Sequence, residues 1–348
     1  MQELLLDTIY EGDAQKRLAE LPANSVHCCV TSPPYYGLRD YGVKGQLGLE
    51  RTPQEYIDNM VSVFSEVRRV LREDGTLWLN IGDSYAAGPK KRSEEQACRK
   101  STLKGSLGGQ VACKDQPNKI TGDLKPKDLI GIPWMLAFAL RAEGWFLRCD
   151  IVWAKKNCMP ESVKDRPTRS HEFIFLLSKS PKYYYDFDAI KEPCIYDLDG
   201  TGTAKRKARQ KHSNKSMPIG VVAGIRPLSD KQRGHSRRHE GFNERWDNMT
   251  HKEQCTGMRN KRDVWTIAPA QFPDAHFATF PEEIPELCVK AGCPVDGVVL
   301  DPFMGAGTTA LVASKLGRHF IGTELNPKYI AIANKRLKNV LGMFSPIK

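Results

Sequence analysis

The sequence predicts an α/β protein built on a doubly wound, parallel sheet that carries an inserted basic segment. Three observations carry this reading. Short apolar runs alternate with amphipathic helical patterns at both ends of the chain. A glycine-rich turn stands between a strand and a helix near the C-terminus. The net positive charge is concentrated in one irregular stretch between those ends.

The elements follow in order. LLLDTIYEGD reads as a short strand ending near Gly12 and Asp13, and AQKRLAEL as a short helix. VHCCVT is a buried strand. PQEYIDNMVSVFSEVRRVLRED places Tyr56, Met60, Val63, Phe64, Val67, Val70 and Leu71 at helical spacing, with Gly75 just past its end. GTLWLNIG is the next strand. Residues 88–127 lose all periodicity and hold 10 Lys or Arg against 4 acids, which predicts a mobile basic loop. KDLIGIPWMLAFALRAEGW is an apolar helix ending at Gly144. FLRCDIVWAK and SHEFIFLLSKS are strands, and VWTI is a strand that returns the chain to the sheet. FPEEIPELCVKAGC is a helix, and GVVLDPF and HFIGTEL are strands around the helix GAGTTALVASKLGR. PKYIAIANKRLKNVL closes the chain as a helix, with Pro327 near its start.

Composition narrows the function classes. The 348 residues are 40% hydrophobic and 27% charged, as in a water-soluble globular protein. No apolar run approaches the roughly 20 residues that span a bilayer, and MQELLLDTIYEGD lacks the pattern of a secretory signal. A cytoplasmic protein is expected. The ten cysteines form no CxxC pair. Cys28 and Cys29 are adjacent within a buried strand, and Cys288 and Cys293 have no second ligand pair nearby, so neither a disulfide framework nor a metal site is expected. The formal net charge is +11, and residues 201–262 hold 16 Lys or Arg against 5 Asp or Glu. Such a block on an otherwise balanced chain suits a polyanionic partner, nucleic acid first. Charge alone fits a solvated insertion equally well.

Two stretches carry chemistry. In DPFMGAGTTA, Gly305, Gly307 and Ala310 satisfy the G-x-G-x-x-G/A spacing after a strand and at the start of a helix. Glycines there admit close approach of a ligand, and the helix N-terminus favours an anionic group. Glu324 ends the next strand, 19 residues beyond Gly305, where a carboxylate can accept from both ribose hydroxyls. No GK[ST] follows, which excludes a P-loop. Nicotinamide and flavin enzymes share this spacing but more often carry it near the start of their binding domain. Its position here suggests a circularly permuted, Rossmann-like nucleoside-binding sheet, and S-adenosylmethionine suits it. The second stretch is TSPPYYGLRDYG, in which two stiff prolines and two tyrosines follow a buried strand.

TSPPY followed far downstream by DPFMGAGTT resembles the amino-methyltransferases of DNA in their permuted β-type arrangement, over roughly residues 1–190 and 263–348. The resemblance implies an S-adenosylmethionine-dependent methyltransferase sheet with residues 191–262 as a target-recognition insertion. It implies that Ser32, Pro33, Pro34 and Tyr35 form the catalytic loop. It implies that Asp301, Phe303, Gly305, Gly307 and Thr308 line the cofactor, that Glu324 binds its ribose, and that Asp13 meets its adenine. His276, Thr279 and Phe280 would embrace its methionine end. Ser32 and the Pro33 carbonyl would accept the two N–H hydrogens of an exocyclic amine and localise its lone pair, while Tyr35, with Tyr36, would stack on a base flipped out of duplex DNA.

Members acting on cytosine N4 usually carry Ser in the first motif position, and those acting on adenine N6 usually carry Asp, so Ser32 favours cytosine N4. The alternatives are an N6-adenine enzyme and a catalytically inactive DNA-binding module. Cytosine C5 chemistry would need a thiolate, and Cys194 follows KEP rather than a buried strand. The NPPY loop of protein glutamine methyltransferases is similar, but their glycine motif comes first. Asn214, Asn243, Arg237, Arg238 and Arg245 have side chains suited to base edges. A separate restriction endonuclease is a possible companion.

Overall fold

The computed structural model describes residues 5–87, 120–158, 160–193, 258–269 and 280–342. Two compact units divide the chain, one of Met1–Ala189 with Arg262–Lys348 and the other of Ile190–Lys261.

The first unit is built on β1 (Thr8–Glu11), β2 (Val26–Thr31), β3 (Leu71–Ile81), β4 (Phe146–Lys155) and β5 (His171–Ser178). In the second unit β6 (Glu192–Pro193) and β7 (Met258–Arg259) pair antiparallel, with Glu192 ion-paired to Arg259 at 2.9 Å. The first unit resumes with β8 (Val264–Ile267), β9 (Val298–Asp301) and β10 (His319–Glu324). Its sheet runs β1-β10-β9-β2-β3-β5-β4-β8. The chain turns outward in opposite directions from the β9/β2 boundary, which is the switch point of a doubly wound sheet. β1 lies parallel beside β10, with Thr8 opposite Ile321. The first strand therefore extends the last one, as circular permutation requires.

The sheet departs from the all-parallel expectation at β5, which runs antiparallel to both β3 and β4. The described residues between β4 and β5 hold no helix, and the short connection joins the two strands as antiparallel neighbours. The reversal sets the start of β5 beside the end of β3, with Phe173 opposite Ile81.

Helices α1 (Ala14–Ala19), α2 (Pro53–Val70) and α3 (Ile132–Ala142) pack in one row, and α4 (Glu283–Gly292), α5 (Thr308–Lys315) and α6 (Pro327–Leu341) in another. Side chains alternate along β3. Leu77, Leu79 and Ile81 join the core of the α1–α3 row, while Trp78 stacks on Tyr185 and Trp265. α2 is capped by Thr52, whose hydroxyl accepts from Glu55 N at 3.1 Å, and its apolar stripe from Tyr56 to Val67 is fully buried. It ends at Val70, short of the expected Asp74, because Leu71 turns extended and pairs with Val26. α3 starts at Ile132 rather than Lys127. Leu129 bridges to Tyr85, and the Asp83 carboxylate accepts from Gly131 N and Ile132 N at 3.0–3.1 Å.

Most of the expected basic loop and nearly all of the basic insertion, with Asn214, Asn243, Arg237, Arg238, Arg245 and Cys194, lie outside the described residues, as do His276 and Thr279. Among the described residues no helix is long and apolar enough to cross a membrane.

Candidate active site

The site stands at the carboxyl ends of β9 and β2, where the two chemistry-bearing stretches meet. Asp301 ends β9 and is fully buried. Its Oδ1 accepts from Thr31 Oγ1 at 2.6 Å and from Phe303 N at 3.0 Å, and its Oδ2 accepts from Thr309 Oγ1 at 2.7 Å. Burial pushes its carboxyl up to about 6, against these hydrogen bonds, which pull it down. Asp301 thus ties β2, β9 and α5 into one turn.

A pocket opens above that turn. Gly12, Asp13, Ser32, Pro34, Phe303, Gly305 and Glu324 line it, with Tyr41 and Tyr329 meeting edge to face at 6.2 Å on its wall. Asp13 caps α1 through Oδ1, accepting from Lys16 N at 3.1 Å. Glu324 Oε2 accepts from Gly305 N and Oε1 from Asn326 N, each at 2.8 Å. A carboxylate has about four acceptor positions, more than these backbone donors use. Burial raises its pKa, partly offset by the backbone donors of Asn326, Gly305 and Leu325.

A wider cleft adjoins the pocket, lined by Ser32, Pro33, Tyr35, Asn80, Asp83, Trp153, Lys155, Arg169, His171, Glu172 and Phe280. Ser32 and Tyr41 belong to both cavities. The Tyr35 ring lies against Gly82, where a Cβ would come within 2.8 Å of Cε2. Its hydroxyl donates to Glu172 Oε2 at 2.7 Å and accepts from Asn80 Nδ2 at 2.8 Å. Lys155 pairs with the other oxygen of Glu172. The Pro34 carbonyl accepts from the buried Tyr56 hydroxyl at 2.9 Å, which fixes the two-proline turn to α2. Burial and the Arg169 cation lower the pKa of His171.

The sequence pattern of the family N6_N4_Mtase, described as DNA methylase, matches residues 26–335. The chain belongs to this DNA methylase family. The methylase is 42% identical to Type II methyltransferase M.Cfr9I of Citrobacter freundii, over 95% of this chain and 87% of that protein. It is likewise 42% identical to Type II methyltransferase M.SmaI of Serratia marcescens, over 94% and 90% of the two chains. Its fold is similar to that of the PvuII DNA methyltransferase (cytosine-N4-specific), with a TM-score of 0.56 at 17% identity, covering 98% of this chain and 86% of that one. A putative DNA modification methylase from Thermus thermophilus, solved with S-adenosyl-L-methionine, matches with a TM-score of 0.51 at 20% identity, over 98% and 95%.

Within the methylase, Ser32, Pro34, Asp13, Phe303, Gly305 and Glu324 share the smaller pocket, and Ser32, Pro33 and Tyr35 share the cleft. Asp301, Gly307 and Thr308, also expected on the cofactor wall, are not among the residues lining the pocket, and each makes a contact within the scaffold. Asp301 holds the turn. Gly307 has φ +76°, and a Cβ on it would approach the Ala333 Cβ at 2.8 Å, so it serves the packing of α5 on α6. Thr308 Oγ1 accepts from Arg336 at 2.8 Å. Phe280 lines the cleft rather than the pocket. Tyr36 points into the core against Tyr56, 1% exposed, so it is not available to stack on a base. Sequence reading missed Tyr41, Tyr329, Asn80, Lys155 and Glu172, none of which belongs to a spaced motif. For Glu172 the one signal is an acid at the head of an apolar strand.

Proposed function

We propose that this methylase transfers a methyl group from S-adenosylmethionine to the exocyclic N4 amine of cytosine in duplex DNA. The observation that carries the reading is the position of Ser32, which lines both cavities at once. A donor in the smaller pocket and an amine in the cleft would meet at its hydroxyl.

The residues present fit the donor. S-adenosylmethionine supplies a methyl group on a positively charged sulfur. The Glu324 carboxylate at the end of β10 suits a ribose diol. The aromatic walls of Tyr41, Tyr329 and Phe303 suit a purine, and Asp13 stands within reach of its edge. Across the junction, Ser32 Oγ and the Pro33 carbonyl accept the amine hydrogens and so localise the lone pair. Tyr35 offers its ring to the flipped base. Rate comes from alignment and from hydrogen bonds that strengthen as charge develops on nitrogen. Ser at position 32, in place of Asp, supports cytosine over adenine. Residues 191–262, with their excess of cations, are proposed to grip the phosphates and read the target sequence. The relatives' Type II names support a companion endonuclease that acts separately.

The test is product identification. The protein is incubated with S-adenosylmethionine and unmethylated DNA of many sequence contexts, digested to nucleosides, and analysed by mass spectrometry. N4-methylcytosine is expected. N6-methyladenine would overturn the base assignment and leave the cofactor reading standing. No methylated nucleoside, beside an active control enzyme, would overturn the activity.

A further inference from the structure

Glu172 is the second residue of β5, its side chain 14% exposed and on the wall of the cleft. The antiparallel course of β5 is what brings its first residues to the ends of β2 and β3. One oxygen is held by Lys155. The other accepts the Tyr35 hydroxyl proton at 2.7 Å, and Tyr35 Oη accepts in turn from Ser32 Oγ at 3.3 Å and from Asn80 Nδ2 at 2.8 Å. A phenol oxygen has one proton and two lone pairs. These three contacts use all of them and fix the direction in which the proton points. The Asn80 amide nitrogen also reaches Ser32 and Glu172, each at 3.3 Å, and so holds the members together. The result is a line of hydroxyls polarised one way, from Ser32 through Tyr35 to a carboxylate.

Methyl transfer to an amine gives such a line a task; the inference rests on the methyl-transfer reading above. The amine lone pair forms the new N–C bond, the electron pair of the broken S–C bond stays on sulfur, and the positive charge passes to nitrogen. A proton must then leave that nitrogen. Ser32 can pass a proton on but cannot keep one.

We propose that Glu172 is the terminal proton acceptor of the reaction, reached through Ser32 and Tyr35. The amine proton moves to Ser32 Oγ as the serine proton moves to Tyr35 Oη and the tyrosine proton moves to Glu172 Oε2. Both hydroxyls end neutral, and the net change is one proton from nitrogen to carboxylate. Burial and the neighbouring Glu172 charge hold the Tyr35 phenol well above its ordinary pKa, so it conducts a proton and does not surrender its own to solvent. Glu172 acts through its neighbours and need not touch the base.

The test compares Tyr35→Phe, Glu172→Gln and the double variant in single turnovers with saturating S-adenosylmethionine and duplex DNA. Cofactor affinity is followed by calorimetry and DNA affinity by fluorescence anisotropy. Each single variant is expected to slow transfer by about 100-fold with both affinities unchanged. The double variant is expected to be no slower than the slower single one, because both cut the same line. Transfer by Tyr35→Phe at the wild-type rate would overturn the proposal, and so would losses that multiply in the double variant. If Glu172→Gln fails to fold with Lys155 left unpaired, Tyr35→Phe decides alone, since it keeps the ring and the ion pair. Absence of transfer by the wild-type protein would overturn the methyl-transfer reading instead.

Discussion

Thr31 donates its hydroxyl proton to Asp301 at 2.6 Å, across 270 positions of sequence. The bond joins the strand that leads into the two-proline loop to the strand that leads into the glycine turn. It makes the geometry of each loop depend on the other.

The same carboxylate gives a pH dependence with a definite sign. Its pKa is about 6 in the folded protein and 3.8 as the ordinary value. The native state therefore holds a proton that the unfolded chain has released. The stability this proton contributes is full below pH 3.8 and is lost as pH rises to about 6. The loss amounts to about 3 kcal/mol. Asp301→Asn, with Thr309 free to turn its hydroxyl, should lack this decline. Urea unfolding of both proteins across that window checks the difference between them.

Glu324→Gln should weaken S-adenosylmethionine binding by about 10- to 100-fold, the loss of a charged hydrogen-bond acceptor. The melting temperature of the ligand-free protein should fall as well, because the amide nitrogen then faces one of the two backbone N–H groups that the carboxylate accepts. Because the Glu324 pKa is raised, wild-type affinity should also fall as pH drops through that raised value, and the Gln variant should show no such fall. Calorimetric titration at a series of pH values reads both effects.

Gly307→Ala should destabilise the fold by roughly 1–3 kcal/mol, since the added carbon meets Ala333 and sits on a left-handed backbone. Chemical denaturation measures the shift in midpoint. An unchanged midpoint would mean that α5 and α6 separate without cost.

Tyr56→Phe removes the hydroxyl that holds the Pro34 carbonyl. Stability should drop by about 1–2 kcal/mol. The rate of transfer at saturation should fall while cofactor affinity holds, because the loosened turn carries Ser32. Paired single-turnover and binding measurements separate the two quantities.

DNA affinity should fall steeply with salt, by about 10³-fold or more between roughly 50 and 200 mM if six or more phosphates are neutralised. Replacing Arg237 and Arg238 together by Gln should flatten that slope. Anisotropy titrations at several salt concentrations give it directly.

Much of the fold was legible because its strands are apolar runs with clear ends. FLRCDIVWAK is β4 residue for residue, and VHCCVT is β2. The direction of β5 was not legible, since an apolar run reads the same whichever way its strand points in the sheet. The end of α2 was misplaced because helical periodicity continues into Leu71, and only pairing with Val26 stops the helix there. In the site, Ser32, Gly305 and Glu324 were visible through fixed spacing. Lys155 and Glu172 were not, because they gather only when β3, β5 and β4 are laid side by side. The scaffold contacts of Asp301 and Gly307 were not legible, because Thr31 and Ala333 meet them only across the folded sheet and helix pair.

The adjacency of β9 and β2 also bears on how the chain reaches its folded state. During synthesis β2 emerges early and pairs with β3, while β9 is made some 270 residues later. Until then one edge of a half-sheet, with the apolar run Cys28, Cys29 and Val30, stays open to any passing strand. β1 waits longer still, since its partner β10 comes near the end. Such long-range closure makes for slow folding and a window of exposure to aggregation. A nascent chain halted before β9 would present a sticky edge, and chaperone demand should track the length of that pause.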